Sequence, residues 1–230
     1  FAIGALNDLH DAPTDGGRVP PKPIPAGLVS PDAARGVVVG AASVGLAMAA
    51  TFGTGLLVLA GVGLAIGVGY DLAARGTRWS WLPFALGIPI LPVYGWYGAT
   101  GAVPDWSLAL LPAAALAGAA IAVANARADH ALDRARGVET VATALGDGGS
   151  RLVLIVAWSA TAVIALTWLA VAGTSVPAAA VVLGAFAVVA AGIGLAWSGG
   201  PVRLEWAWRV QAVGGGMAAV AWLAAVTAPA

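Results

Sequence analysis

Two polar stretches of this sequence repeat one spacing of oxygen-bearing side chains. Each reads Asn-x-x-x-Asp-x-x-x-Asp, and the two sets are Asn7, Asp11, Asp15 and Asn125, Asp129, Asp133. Because residues four apart on a helix lie on one face, each motif predicts a row of carboxylate and amide oxygens. Such oxygens suit Mg²⁺, Mn²⁺ or Ca²⁺ rather than zinc or copper.

Carboxylates crowded in this way repel one another and raise each other's pKa, which a divalent cation relieves. Mg²⁺ commonly takes one or two protein carboxylates and completes its shell with water and substrate phosphates. Two such motifs therefore predict two Mg²⁺ ions with a diphosphate between them. Neighbouring cations would bind the remaining phosphate oxygens, and the candidates are Arg18, Lys22, Arg75, Arg134 and Arg136. The alternative is a pair of solvated loops with helix-capping Asp and Asn, which the repeated spacing argues against.

The composition indicates which elements carry these motifs. Of the 230 residues, 60% are apolar and 10% charged, and the mean hydropathy is +0.90. These values exclude a soluble globular domain and a disordered chain. The 11 basic residues balance the 11 acidic ones, which argues against binding to nucleic acid. There is no Cys, so a disulfide framework, a thiol nucleophile and Cys-ligated zinc are excluded.

Long apolar segments predict an all-α, polytopic transmembrane helical bundle. An apolar N-terminal stub at residues 1–6 precedes seven predicted full spans, at residues 36–50, 55–70, 80–97, 106–124, 152–171, 177–197 and 210–227. Six residues cannot cross a bilayer, which takes about 20. We therefore expect the chain to begin partway through a longer protein.

All the cations fall in one class of connection. Arg and Lys lie only in the polar segments 7–35, 71–79, 125–151 and 198–209, which share one side if each span crosses once. The positive-inside rule makes that side cytoplasmic. Ten of the 11 acids lie there too, and only Asp105 lies opposite. Both motifs are therefore expected at the cytoplasmic ends of helices.

These residues resemble the UbiA superfamily of intramembrane prenyltransferases. The matching stretches are Asn7-Asp8-x-x-Asp11-x-x-x-Asp15 with Lys22-Pro23-Ile24-Pro25, then Tyr70 with Arg75, then Asn125-x-x-x-Asp129-x-x-x-Asp133-x-x-x-Gly137. The resemblance covers essentially the whole chain. It implies a nine-helix bundle, of which residues 1–230 form a single domain without the first helix and most of the second.

The resemblance also implies an activity. This is Mg²⁺-dependent transfer of a prenyl group from a polyprenyl diphosphate to a small aromatic acceptor, such as a quinone precursor, in a bacterial plasma membrane. The active site would lie at the cytoplasmic face. Two Mg²⁺ would be bound by the residues Asn7, Asp11, Asp15, Asn125, Asp129 and Asp133. The groups expected to bind phosphate are Arg18, Lys22, Tyr70, Arg75 and Arg134.

Two acidic residues have other expected roles. Asp8 would support the metal ligands. Asp71 is a candidate for orienting the acceptor or removing its proton, and the alternative is a loop charge paired with Arg75 four residues on. Pro13 disfavours helical geometry at Ala12, so Asp15 is expected to reach the site from a loop.

Other functions remain open at this stage. Within the superfamily, the alternative is prenyl transfer to haem or to another, non-aromatic acceptor. A membrane transporter is the alternative from a different class, but transporters place ionisable groups near the bilayer midplane, and the predicted spans carry none there. A CDP-alcohol phosphotransferase would carry a D-G-x-x-A-R signature, which this sequence lacks.

Overall fold

The computed structural model describes residues 1–13, 15–16, 20–197 and 200–228. Within these residues the protein contains nine α-helices, one π-helical turn at Tyr70–Ala74, and no strand. The helices are α1 (Ala2–Asp11), α2 (Pro31–Thr51), α3 (Thr54–Gly69), α4 (Leu82–Thr100), α5 (Ser107–Ala128), α6 (His130–Arg136), α7 (Val141–Val171), α8 (Val176–Leu195) and α9 (Pro201–Thr227). The predicted all-α class is confirmed.

The ends of several helices follow from local chemistry. Ser30 caps α2, since its Oγ accepts a hydrogen bond from the Ala33 N–H at 3.1 Å, and Pro31 occupies the first turn. Thr140 caps α7 in the same way through the N–H of Thr143. Gly137 ends α6 with a φ of 69°, a left-handed conformation that glycine adopts without a Cβ penalty.

The chain divides into two compact units. The first comprises residues 1–75 and 92–102, and the second comprises residues 76–91 and 103–230. In the first unit, α1 packs on α2 and α3 and against the π-helical turn. In the second, α5 packs on α7 and α9, and α8 packs closely on α9.

Small residues allow the helices of the second unit to approach one another. A Cβ on Gly118 would lie 2.4 Å from the Phe84 carbonyl oxygen, and one on Gly214 would lie 2.9 Å from the Val189 nitrogen. Such backbone approach is typical of membrane helices, which associate through close packing. A buried hydrogen bond of 3.0 Å, from Trp158 Nε1 to Gln211 Oε1, joins α7 to α9.

The span prediction is confirmed with one difference. Among the described residues, six helices are long and apolar enough to cross a membrane, and they correspond to α2, α3 with the π-helical turn, α5, α7, α8 and α9. The remaining predicted span, at residues 80–97, forms the 19-residue helix α4, which falls outside this set. Its three prolines and its Tyr and Trp residues lower its mean hydropathy below that of the others.

The polar connections are more helical than the charge pattern suggests. Residues 125–151 contain the end of α5, all of α6 and the start of α7, and α9 begins inside the predicted 198–209 connection. The helix α7 changes direction at Gly146, whose φ of 65° and ψ of 179° are not helical. Charge density therefore marked the ends of the apolar spans but not the ends of the helices.

Candidate active site

The first motif begins on α1 and finishes beyond it. Asn7 and Asp11 lie on the helix, which ends at Asp11, and Asp15 follows in irregular structure. The Asp15 N–H still donates to the Asp11 carbonyl at 2.9 Å, so the chain turns back towards the helix end. Asp15 thus lies beyond the helix, as expected, but the stated reason is wrong, because Ala12 before Pro13 keeps helical dihedrals of φ −47° and ψ −40°.

The carboxylates of this motif gather around one ammonium group. Lys22 Nζ lies 2.7 Å from Asp15 Oδ2, 2.9 Å from Asp8 Oδ1 and 3.6 Å from Asp11 Oδ2. The Asp11 and Asp15 side chains are each only 13% exposed, whereas that of Asp8 is 42% exposed. The hydrogen bond with Asp15 is the main cause that raises the pKa of Lys22 above its ordinary 10.5, and Asp8 adds to it.

Arg75 provides a second cation on the same carboxylate group. Its Nη2 lies 2.8 Å from Asp11 Oδ2. The π-helical turn ends at Ala74, and Arg75 has extended backbone dihedrals of φ −61° and ψ 137°. The expected ion pair between Asp71 and Arg75 is therefore wrong, because the helix does not continue to Arg75 and its side chain turns to Asp11 instead.

Asp71 is one of the most buried polar residues described, with 1% exposure. Its Oδ1 accepts a hydrogen bond of 3.1 Å from Asn7 Nδ2. Tyr70, at the start of the same turn, is half-buried, and its carbonyl accepts the Arg75 N–H at 2.9 Å. The bond between Asn7 and Asp71 was not predicted, because 64 positions separate the two residues and no sequence spacing relates them.

The second motif does not form one continuous helical row. Asn125 lies on α5, Asp129 lies between α5 and α6 with φ −96° and ψ 1°, and Asp133 lies on α6. The expectation of a single helix face is therefore wrong here. Asn125 and Asp133 are half-buried, while Asp129 is exposed, as is Arg134. Arg18 lies outside the described residues.

An arginine inside the second motif makes a buried ion pair that the sequence did not predict. Arg127 is 4% exposed, and its Nη2 lies 2.6 Å from Asp147 Oδ1 and 3.5 Å from the Ala196 carbonyl. Asp147 Oδ2 lies 2.5 Å from Arg151 Nη2. Asp147 follows the bend at Gly146, so this pair joins the end of α5 to the bend in α7.

An apolar cavity of about 880 Å³ lies within the second unit. Side chains from α5 and α7 line most of it, including Leu116, Val123 and Val153. Arg78, Trp79 and Trp81 line another part. The cavity is large enough for a long apolar ligand.

Comparison with known protein families identifies the chain. The profile of the UbiA prenyltransferase family matches residues 1–199. The chain belongs to the UbiA prenyltransferase family. It is therefore a transferase of prenyl groups and a multi-pass membrane protein.

Two solved structures resemble this UbiA-family chain. A UbiA homologue from Aeropyrum pernix K1, solved in the apo form, gives a TM-score of 0.75 at 20% identity, over 96% of this chain and 83% of that one. A digeranylgeranylglyceryl phosphate synthase structure gives a TM-score of 0.74 at 11% identity, over 98% and 80%. These similarities establish the UbiA-like fold. No curated protein sequence matches the chain significantly.

The donors around Lys22 fit a hard divalent cation. In the part of the chain that the structure describes, no three acidic or histidine side chains already stand in metal-coordinating positions. However, three carboxylates of this UbiA-family motif already converge on the single charge of Lys22 Nζ. Carboxylate oxygens, with the amide of Asn7 nearby on α1, form the donor set that Mg²⁺ prefers.

Proposed function

We propose that this prenyltransferase transfers a prenyl group from a polyprenyl diphosphate to a small aromatic acceptor, with Mg²⁺ bound by its two Asn-Asp motifs. The observation that carries the proposal is the convergence of Asp8, Asp11 and Asp15 on one ammonium group, with Arg75 beside them. A cluster of carboxylates and cations is the arrangement needed to bind a metal diphosphate. Family membership supplies the reaction class.

The ligands we assign to Mg²⁺ are Asn7, Asp11, Asp15, Asn125, Asp129 and Asp133. Asp8 is assigned to holding Lys22, since it is the most exposed of the three carboxylates around that ammonium. The chemistry that Mg²⁺ supplies when bound is neutralisation of the charge that develops on the diphosphate as the allylic carbon–oxygen bond breaks.

Other groups of the chain bind the diphosphate. Lys22 and Arg75 carry fixed positive charges beside the first motif, and each can transfer its contacts from a carboxylate to a phosphate oxygen. Tyr70 is assigned a hydrogen bond to the diphosphate from its phenol, and Arg134 a contact near the second motif. These assignments follow the residue types and the family motifs.

The remaining steps require an apolar environment. The electron pair of the broken bond leaves with the diphosphate, and an electron-rich carbon of the acceptor forms a bond to the allylic carbon and then loses its proton. Water would quench the allylic cation, so the apolar helices protect it by excluding water. The cavity lined by Leu116 and Val153 supports the proposal, because it offers room for an isoprenoid chain.

The test is prenyl transfer by the purified protein in lipid nanodiscs, with a radiolabelled prenyl diphosphate and a panel of acceptors. The panel contains phenolic and naphthoic acids, haem and glyceryl phosphate, so an aromatic acceptor is distinguished from the alternatives. We expect transfer to an aromatic acid, its loss in EDTA and its recovery with Mg²⁺. Transfer that continues in EDTA would overturn the metal assignment, and transfer only to haem or glyceryl phosphate would overturn the aromatic acceptor.

Substitutions test whether both motifs serve the same reaction. Asp11→Ala and Asp129→Ala should each lower turnover by roughly 10²-fold or more, the scale on which enzymes lose a key electrostatic group. Asp11→Asn should lower turnover as well, because it keeps the size of the side chain but not its charge. The matched control is Asp32→Ala, which removes an 88% exposed carboxylate paired with Arg35 three residues away. Wild-type turnover by Asp129→Ala would remove the second motif from the proposal.

A further inference from the structure

The buried carboxylate of Asp71 is bonded in an unusual way. One oxygen, Oδ1, accepts the hydrogen bond from Asn7, while Oδ2 is buried and has no hydrogen-bond partner among the described residues. Arg75, the nearest cation in sequence, pairs with Asp11 instead. Burying a carboxylate with one donor is unfavourable, and a residue this enclosed is poorly placed to take a proton from an acceptor molecule.

The chemistry of this bond fixes the orientation of the Asn7 amide. An ionised carboxylate only accepts hydrogen bonds, whereas the Asn side chain has a donating NH₂ group and an accepting oxygen. Asn7 presents Nδ2 to Asp71, whereas the opposite orientation would place the amide oxygen against a carboxylate oxygen. The amide oxygen Oδ1 is then the Asn7 side-chain atom that remains available to another partner.

That remaining atom is the one a hard cation needs. Mg²⁺ and Ca²⁺ bind carbonyl and carboxylate oxygens and not amide NH₂ groups. Asn7 and Asp11 are four residues apart on α1, so their side chains lie on one face of the helix. The π-helical turn, a form of helix that is frequent at functional sites, supplies Asp71 opposite Asn7.

We propose that Asp71 is a positioning residue: it holds the Asn7 amide so that Oδ1, and not Nδ2, is presented to a divalent cation bound with Asp11. This inference rests on the proposed function, because it assumes that the first motif binds the metal. It replaces the sequence-based role of Asp71 in handling the proton of the acceptor.

The experiment measures the metal requirement in two ways. One readout is the Mg²⁺ concentration for half-maximal turnover. The other needs no turnover: it is the shift of the thermal unfolding midpoint on adding MgCl₂ with inorganic pyrophosphate, followed by the fluorescence of the 10 Trp residues. A wild-type protein that shows neither Mg²⁺ dependence nor a shift would overturn the proposed function, which separates that failure from failure of the Asp71 role.

The variants differ in whether they keep the acceptor for Asn7. Asp71→Leu removes it and should raise the half-saturating Mg²⁺ concentration by roughly tenfold or more, as for other residues that hydrogen-bond to metal ligands. Asp71→Asn keeps an accepting oxygen and should stay within about threefold of wild type. The matched control, Gln211→Leu, removes the buried hydrogen bond to Trp158 in the other unit. It should lower the unfolding midpoint without changing the Mg²⁺ requirement.

A polarity swap keeps the proposal testable if Asp71→Leu does not fold. Asn7→Asp alone places two carboxylates together and should lower the unfolding midpoint in EDTA. Adding Asp71→Asn restores the hydrogen bond with its direction reversed, because residue 71 now donates from an amide and residue 7 accepts with a carboxylate oxygen. The other carboxylate oxygen of residue 7 is then available to the cation. The double variant should therefore recover the pyrophosphate-dependent shift. A wild-type Mg²⁺ requirement in Asp71→Leu, or a swap no better than Asn7→Asp alone, would overturn the positioning role.

Discussion

The ammonium of Lys22 contacts three aspartates of one motif. Asp11 and Asp15 are largely buried and close to one another, so without a nearby cation they would repel. Their contact with Lys22 relieves that repulsion and holds the three carboxylates around one point. These ion pairs therefore contribute to holding the motif together.

Replacing Lys22 tests this role directly. Lys22→Met keeps an unbranched side chain, one atom shorter, but removes its charge, so the unfolding free energy in EDTA should fall by on the order of 1 kcal/mol. Mg²⁺ alone should then stabilise the variant more than the wild type, because the cation relieves a repulsion that Lys22 no longer offsets. Unfolding midpoints with and without Mg²⁺ provide the measurement.

The control for this variant is Arg35→Met, which breaks an exposed ion pair with Asp32 and should change the unfolding free energy little.

The stabilisation by Lys22 should depend on pH with a definite sign. Because the carboxylates raise the pKa of Lys22, its contribution is fully present at neutral pH and is lost only as pH rises through that raised value. Equal midpoints of Lys22→Met and wild type in EDTA would contradict the role.

At the scale of single residues, the sequence predicted which residues form the site better than it predicted which side chains contact each other. The spacing of Asn7, Asp11 and Asp15 identified a cluster of oxygens, and Asp15 was correctly expected beyond the end of the helix. The bond from Asn7 to Asp71 was beyond prediction, because it depends on how α1 packs against the π-helical turn. The pairing of Arg75 with Asp11 was missed for the same reason.

At the scale of elements, an ion pair between Arg127 and Asp147 joins the end of α5 to the bend in α7. Arg127 is buried, whereas its partner Asp147 is 56% exposed. Without that carboxylate, the buried guanidinium keeps the 3.5 Å contact with the Ala196 carbonyl but no counter-charge, which is the costly way to break an ion pair. The pair therefore contributes to holding α6, and with it the second motif, between the two helices.

We expect Asp147→Ala to lower the unfolding free energy by about 2 kcal/mol. This is less than the loss for a fully buried pair, because Asp147 is partly solvated. Removing both partners, in Arg127→Met with Asp147→Ala, should cost less than the single change, since no buried charge is then left alone. Denaturant titration of the three proteins measures the coupling. A double variant less stable than Asp147→Ala would contradict the argument.

Helix ends were predictable where a residue type demands them, as at Ser30 and Gly137. The interruption of the second motif at Asp129 was not. Spacing of four residues assumes a continuous helix, and nothing in the sequence between Asn125 and Asp133 is a helix breaker. The polar segment 125–151 was likewise taken for a connection, because charged residues are equally compatible with loops and with exposed helices.

At the scale of the whole molecule, the fold class and the family followed from the sequence, but the number of crossings rests on α4. The charge pattern puts all 11 cations on one side only if α4 crosses. Its length of 19 residues permits a crossing, although its prolines and polar aromatics make it less apolar than the other spans.

Accessibility of single cysteines tests that crossing, and the chain has no Cys of its own to interfere. The exposed positions Ala26, Ala102 and Ala135 can each be changed to Cys. In intact cells, an impermeant thiol reagent should label Ala102→Cys only, because four crossings separate residues 26 and 135. Labelling of residue 135 with protection of residue 26 would show that α4 does not cross.

The helices α8 and α9 differ in length although they pack side by side. The 20 residues of α8 rise roughly 30 Å, which equals the hydrocarbon thickness of a typical bilayer, whereas the 27 residues of α9 rise roughly 40 Å. Gly192 and Gly214 bring the two backbones so close that α9 is not free to tilt independently. The excess length of α9 must therefore project into the headgroup layer. Its first turns carry Glu205 and Arg209, with Arg209 stacked on Trp206 and Trp208. We therefore expect α8, and not the longer α9, to set the bilayer thickness that suits this protein best.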